Sequence, residues 1–183
     1  MTRPVPTGRD AAFHHDEIIV SKTDLQGRIT YANDVFIRVS GYSEAELLGA
    51  PHSIVRHPEM PRCVFRLLWD TIGQRQEIFA YVLNMAKNGD QYWVLAHVTP
   101  SYDASGAHVG YHSNRRVPHA DALVKVRPLY ARLLAVEHAV FDRKTSVEAG
   151  VAAMTDLLHG AGLTYSQFVF GLSVHTTLDA EAV

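Results

Sequence analysis

The sequence contains a single cysteine, Cys63, among its 183 residues. One cysteine excludes an internal disulfide framework and a zinc site built from thiolates, and it indicates a reducing compartment. The charges nearly balance, with 17 Lys and Arg against 19 Asp and Glu, so no net field attracts nucleic acid or an anionic membrane. No apolar run approaches the ~20 residues that a spanning helix needs, and the N-terminus lacks the apolar core of a signal peptide. We therefore expect a cytoplasmic protein with no nucleic-acid partner and no membrane insertion.

Motifs of the common enzyme classes are also missing. The sequence contains no P-loop, no Gly-x-Ser-x-Gly, no kinase signature and no pair of catalytic carboxylates. The 11 histidines are a high count, but no cysteine or carboxylate cluster completes a metal shell around them. The sequence thus predicts no enzymatic activity, no catalytic residues and no metal site.

Two groups of strand-like segments enclose a helical middle. A Gly-containing turn joins two β-prone runs, Ile18–Val20 and Arg28–Tyr31, which predicts a hairpin. Short helices follow, and the run from Pro61 to Gly73 has the apolar spacing of one longer helix. Asn88-Gly89 then lies between two further β-rich segments, the strongest short signal for a hairpin.

The strand candidates of the second group are Ile78–Met85, Tyr92–Val98 and Val109–Val117. The C-terminal third is helical, with one helix predicted from Pro128 and another opened by a capping box at Thr145. This order of elements predicts an α+β fold with an antiparallel sheet.

Two stretches carry a resemblance to a known family. The sequence TDLQGRITYANDVFIRVSGYSEAELLGAPHSIVRHPEMP, followed by AKNGDQYWV, is similar to the PAS domain of bacterial aerotaxis receptors. The similarity covers about Ile18 to Val117, a little over half of the chain. It implies a PAS fold, in which a five-stranded antiparallel sheet has short helices on one face.

The extent of the resemblance and the patterns on either side of it together predict a division of the chain. We expect an N-terminal tail or cap over residues 1–17, a PAS sensor domain over 18–118, a C-terminal helical extension over 119–172 and a tail over 173–183. The extension is either a structural lid or an output element.

The resemblance further implies a sensor that binds FAD non-covalently and reports redox or oxygen state to a protein signalling partner or through a homodimer. The residues that match the family's cofactor positions are Asn33, Arg56, His57, Trp69 and Asn84. Arg56 and His57 are suited to a pyrophosphate, through charge-assisted hydrogen bonds. Asn84 is an amide inside an apolar strand, where a buried amide needs a hydrogen-bond partner. Asn33 also fits a helix cap, and Trp69 also fits a hydrophobic core.

Two positions depart from the family pattern, because Ile78 replaces a tryptophan and Glu59 replaces an aspartate. Two other functions also stay open, and Ile78 favours the first of them. One is a PAS module without a cofactor, acting in dimerisation or protein docking. The other is a haem-binding PAS sensor, with His57, His97 or His112 as the iron ligand.

Overall fold

The computed structural model describes residues 4–174. This part of the chain divides into two compact units. The first contains the chain up to Met60 together with Thr71–Val117, and the second contains Pro61–Asp70 together with the chain from Pro118 onward. Among the described residues, no helix is both long and apolar enough to cross a membrane.

A five-stranded antiparallel sheet forms most of the first unit, in the strand order β2-β1-β5-β4-β3. The predicted fold class is therefore confirmed. The elements of this unit are β1 (Ile19–Thr23), β2 (Ile29–Ala32), α1 (Asp34–Ser40), α2 (Glu44–Leu47), a 3-10 turn (His52–Val55), β3 (Ile78–Met85), β4 (Gln91–Tyr102) and β5 (His108–Arg116). The helix α3 (Arg62–Gly73) begins in the second unit and ends in the first.

The strand register decides which side chains share a face of the sheet. Arg115 of β5 is paired with Ile19 of β1 and with Ala96 of β4, and Asn84 of β3 is paired with Tyr92 of β4. Paired residues point to the same side and successive residues alternate. The face that these pairs define is called the inner face, and it carries Ile19, Ser21, Ile78, Ala80, Val82, Asn84, Tyr92, Val94, Ala96, Val98, Ser113 and Arg115.

The N-terminal segment binds to the hairpin between β3 and β4. The Thr7 N–H donates to Gly89 O at 2.9 Å, and the Ala11 N–H donates to Gln91 O at 2.7 Å. Gly89 has a φ of +90°, and a Cβ there would lie 2.1 Å from the Val5 carbonyl oxygen. The Asn-Gly turn thus shapes the hairpin and also leaves room for the N-terminal backbone.

The second unit consists of helices, namely the first part of α3 with α4 (Ala120–His138), α5 (Arg143–Gly160) and α6 (Tyr165–Val174). A buried carboxylate connects them: Glu137 of α4 accepts hydrogen bonds from the backbone N–H of Arg62 at 3.0 Å and of Cys63 at 2.7 Å. These N–H groups lie in the first turn of α3 and have no partner within that helix. Glu137 therefore acts as the N-terminal cap of α3, supplied from another helix.

Two predicted helix starts were wrong. Helix α4 begins at Ala120 and contains Pro128, which the sequence reasoning took as its start. A proline inside a helix removes the hydrogen bond to the carbonyl four residues earlier, here that of Val124, a residue 71% exposed. Water can therefore replace the missing donor. Helix α5 begins at Arg143, because the Asp142 carboxylate accepts from the Thr145 N–H at 2.9 Å and caps the helix three residues before the predicted position.

The end of the predicted C-terminal tail falls outside the described residues. Helix α6 continues to Val174, two residues past the predicted end of the extension. The remaining part of the predicted tail, 175–183, lies beyond the described part of the chain.

Candidate functional site

The segment after the 3-10 turn runs along the edge strand β3. Pro58 and Pro61 prevent a helix here. Arg56 forms an isolated antiparallel bridge with Asn84, and the Leu83 N–H donates to Met60 Sδ at 3.4 Å. Two of the sequence-predicted site residues, Arg56 and Asn84, are thus brought together at the edge of the sheet.

His57 follows Arg56 and is 1% exposed. Its Nδ1 accepts a hydrogen bond from the Glu59 N–H at 3.2 Å. A ring nitrogen that accepts carries no proton, so the neutral imidazole holds its proton on Nε2. The local backbone therefore sets the tautomer of a buried histidine beside Arg56.

Asn84 and Tyr92 form a cross-strand pair of buried polar side chains on the inner face. They are 3% and 2% exposed, and the Asn84 Nδ2 and the Tyr92 hydroxyl have no hydrogen-bond partner among the described residues. Burial raises the pKa of Tyr92, so its hydroxyl keeps its proton at neutral pH. A buried donor without a partner costs about 1–3 kcal/mol. The pair therefore presents two unused donors on the same face.

Arg115 is a further buried polar residue of this face, and it is 2% exposed. Its Nη2 donates to Ser21 Oγ, and its guanidinium lies 4.6 Å from the centre of the Phe36 ring of α1. The Nε and Nη1 atoms have no hydrogen-bond partner, and no carboxylate within residues 4–174 pairs with this side chain. Burial lowers its pKa to about 10, which leaves the guanidinium charged at neutral pH. A buried charge without a counterion costs several kcal/mol, of which a desolvated cation–π contact offsets about 2 kcal/mol.

His52 of the 3-10 turn lies near Arg115 but, unlike Arg115, is uncharged at neutral pH. Its ring stacks on Phe36 with centroids 5.9 Å apart, and its Nε2 is 3.3 Å from Ser21 Oγ. Burial, followed by repulsion from the Arg115 guanidinium, lowers the pKa of His52. The imidazole is therefore neutral at neutral pH, and Arg115 is the charged member of this cluster.

Four of the polar residues described above were not predicted from the sequence, namely Ser21, His52, Tyr92 and Arg115. One signal was available for the arginine. Alternation along β5 requires that Arg115 and Arg116, which are adjacent, point to opposite faces. One of them had to face inward, and the structure shows that it is Arg115, since Arg116 is exposed.

Asn33 caps helix α1. Its Oδ1 accepts from the N–H of Phe36 and from that of Val20, both at 3.0 Å, while its Nδ2 donates to Ile18 O at 2.8 Å. The amide is therefore engaged with the backbone at both ends. The predicted contact of Asn33 with a cofactor stays a prediction, and so does that of Trp69, which lies on α3 in the second unit and is 40% exposed.

Comparison with known proteins agrees with this architecture. Residues 29–115 match the model of the PAS fold family. The chain is 40% identical to the aerotaxis receptor of Escherichia coli K12 over 132 residues, which is 72% of this chain and 26% of the receptor. The chain carries a PAS domain. In sequence, this PAS domain is of the aerotaxis-receptor type, as predicted.

Other known proteins match a smaller share of the chain. The nitrogen fixation regulatory protein of Klebsiella pneumoniae is 35% identical over 89 residues, covering 49% of this chain and 18% of that protein. A light-oxygen-voltage domain from a flavin-analogue study superposes with a TM-score of 0.52 at 21% identity, covering 61% of this chain and 85% of that domain. The chain thus spans about a quarter or less of the curated relatives described here, and the structural likeness establishes the fold.

Proposed function

We propose that this chain is a cytoplasmic redox sensor whose PAS domain binds FAD non-covalently and signals to a protein partner or through a homodimer. The observation that carries the proposal is the set of buried, unused polar atoms on the inner face. Asn84, Tyr92 and Arg115 come from three neighbouring strands and present donors to the same side of the sheet. Buried donors are normally satisfied, so a bound ligand rich in acceptors accounts for all three.

A flavin fits these residues. The edge of its ring offers carbonyl oxygens and ring nitrogens, which match the donors of Asn84 and Arg115. Ala80 and Ala96 are paired on the same face and are 0% and 3% exposed. Their short side chains suit the close approach of a planar ring, and a bound flavin would supply reversible electron transfer at this face.

The preference for FAD over FMN rests on the resemblance to aerotaxis receptors and on the adjacent cationic and imidazole groups of Arg56 and His57, which suit a pyrophosphate. Asn84 is bridged to Arg56 and paired with Tyr92. A change in the hydrogen bond of Asn84 would therefore reach both the edge segment and β4, which gives the sensor a route from ligand to backbone.

A haem ligand has less support from this geometry. His97 stacks on Phe79 with centroids 4.0 Å apart and contacts Glu77 at 2.7 Å. By register, His97 and His112 both lie on the face opposite to the inner face. Of the three histidines considered for haem, His57 alone remains a candidate, and the departure at Ile78 favours a module without a cofactor.

An absorbance spectrum of the freshly purified protein, recorded before and after dithionite, tests the proposal. We expect the two visible bands of an oxidised flavin, bleached on reduction, and chromatography of the heat-released cofactor should identify FAD. A sharp Soret band would replace the proposal by a haem sensor. A protein that stays colourless after incubation with FAD would leave a docking module.

Asn84→Ala tests the site itself. We expect FAD to bind about 3- to 10-fold more weakly, because one hydrogen bond between the amide and the ligand is lost. Asn114→Ala is the matched control, since Asn114 is also a strand asparagine but lies on the opposite face. Equal FAD affinity in the two variants, measured by titration of the flavin-free proteins, would contradict the role of Asn84.

A further inference from the structure

Arg115 is an unusual residue for the centre of a sheet. It belongs to β5, the middle strand, and it lies between Ile19 of β1 and Ala96 of β4. Burial leaves only 2% of it exposed, and its Nε and Nη1 point to no acceptor within residues 4–174. Its guanidinium contacts the hydroxyl of Ser21 and the ring of Phe36. Both of these groups are uncharged, so within residues 4–174 the buried guanidinium has no counterion.

A ligand group with negative charge or strong acceptor character would supply the acceptor that these two nitrogens lack. Charge-assisted hydrogen bonds are roughly twice as strong as neutral ones, and they gain further in a buried site. The position of Arg115 in the middle strand, opposite the short side chain of Ala96, favours the ring of a dinucleotide over its phosphates. Phosphates are strongly hydrated, and the half-buried Arg56 at the sheet edge is better placed for them.

We propose that Arg115 binds the ring of the flavin and stabilises the negative charge that the ring gains on reduction, so that this residue sets the reduction potential of the sensor. The proposal rests on the flavin function proposed above. The neutral oxidised ring takes up two electrons and one proton and is left with one negative charge. In the test below, dithionite supplies the electrons and water supplies the proton. Arg115 keeps its own proton throughout and acts through its charge.

The test compares Arg115→Met with Arg116→Met. Methionine keeps much of the length of the side chain and removes the charge. Arg116 is the adjacent residue and carries the same charge, but it is exposed on the other face. Affinity is measured by titrating the flavin-free proteins with FAD and with riboflavin, which has the ring and no phosphate. The potential of the FAD-loaded proteins is measured by dithionite titration against a reference dye.

We expect Arg115→Met to bind both FAD and riboflavin about 10- to 100-fold more weakly. The reduction potential should fall, because the substitution weakens the binding of the reduced flavin more than that of the oxidised flavin. Each tenfold difference between these two losses of affinity lowers the potential by about 30 mV. Thermal unfolding of the flavin-free variant should occur at the same or a higher temperature than in the wild type, because an uncompensated buried charge has been removed. Arg115→Lys should retain part of the affinity, and Arg116→Met should match the wild type in every measurement.

The outcomes separate the two proposals. If the wild-type protein binds no flavin, the flavin function fails and this proposal fails with it. If the wild type binds FAD and Arg115→Met keeps the same affinity and potential, the role of Arg115 alone is overturned. Weaker binding of FAD with unchanged binding of riboflavin would assign Arg115 to the phosphates and overturn the assignment to the ring. A flavin-free Arg115→Met that unfolds at a lower temperature would show a structural role instead, and would overturn the proposal as well.

Discussion

Two buried charged side chains show how differently a fold can treat a charge. The Glu137 carboxylate accepts from the N–H groups of Arg62 and Cys63, at the end of a helix where the peptide dipoles favour a negative charge. The Arg115 guanidinium has a hydroxyl and an aromatic ring as neighbours, and two of its nitrogens have no acceptor within residues 4–174. The first charge is satisfied by the chain itself, whereas the second is suited to something that the chain binds.

Gly150 provides a test of the Glu137 contact at the scale of one residue. A Cβ at Gly150 would lie 2.8 Å from Glu137 Oε1, 2.9 Å from Glu137 Cγ and 3.0 Å from Cys63 Cβ. We expect Gly150→Ala to lower the free energy of unfolding by about 1–3 kcal/mol, because the carboxylate is held by two backbone donors and is not free to move aside. Chemical denaturation measures the change.

Gly160→Ala is the control for this substitution, because Gly160 lies on the same helix and a Cβ there would meet no atom within 4 Å. Alanine should leave the stability equal or slightly higher at that position. Equal stability of the two variants would show that the packing around Glu137 is looser than the distances indicate.

At the scale of elements, the sequence predicted strands better than helix starts. The predicted bounds of β3 agree with the structure, Ile78–Met85, because an apolar run ends at an Asn-Gly turn. The start of helix α4 was predicted too late, because a proline such as Pro128 usually marks the first turn of a helix. The free-energy cost of a proline inside a helix depends on whether water reaches the carbonyl that loses its donor, here that of Val124. A sequence does not show that exposure. Two residues near the start of α5 are suited to cap it: the capping-box pattern favours Thr145, whereas the structure has Asp142 as the cap.

In the candidate site too, the sequence pattern indicates some residues and not others. Asn84 was found because an amide in an apolar strand stands out. Arg115 was missed because Asn114, Arg115 and Arg116 together resemble the solvated end of an edge strand. The pairing of β5 with both β1 and β4 makes it the central strand, and this long-range register is what buries Arg115. A sequence pattern shows which secondary structure a segment prefers. Which polar side chains are buried at this site depends on the order of the strands in the sheet, and that order is set by long-range pairing.

Asp142 allows a pH-dependent prediction for helix α5. Hydrogen bonds from the Thr145 N–H and hydroxyl hold the pKa of the Asp142 carboxyl below its usual value. A lowered pKa means that the cap contributes fully above the unfolded value and is lost as the pH falls through the folded one. We expect Asp142→Ala to lower the melting temperature by about 2–4 °C at neutral pH, with a smaller difference from the wild type in acid.

Asp142→Asn is the control for charge, since asparagine also caps helices and does not titrate. It should stay close to the wild type at neutral pH and should show no loss on acidification from this site. A deficit of Asp142→Ala that stays constant from neutral to acidic pH would contradict the assignment of the cap to the carboxylate.

At the scale of the whole molecule, the predicted sensor domain and the first compact unit of the structure do not contain the same residues. The resemblance to PAS domains suggests a sensor over 18–118, with the helices beyond it as an extension. In the structure, Pro61–Asp70 belongs to the same compact unit as those C-terminal helices. The start of α3 depends on Glu137 for its cap, so α3 takes part in both units.

A chain shortened to residues 1–118 tests this dependence through Cys63. In the full chain Cys63 is buried, and burial, followed by the hydrogen bond to Glu137, raises the pKa of its thiol to about 12. A thiol with so high a pKa reacts slowly at neutral pH, because the thiolate is the reactive form. Removal of residues 119–183 takes away Glu137 and uncovers the thiol. We expect labelling by a thiol reagent to become at least about tenfold faster, and Cys63 is the one cysteine that can react.

The denatured full chain gives the upper limit of the labelling rate, and Glu137→Gln in the full chain separates the two causes. Glutamine offers one acceptor oxygen in place of two, so it should weaken the cap and speed up labelling less than the truncation does. If the shortened chain labels as slowly as the full chain and keeps its flavin, residues 18–118 form a sensor whose α3 needs no external cap. If it labels fast and loses its flavin, the C-terminal helices are required for the sensor to fold.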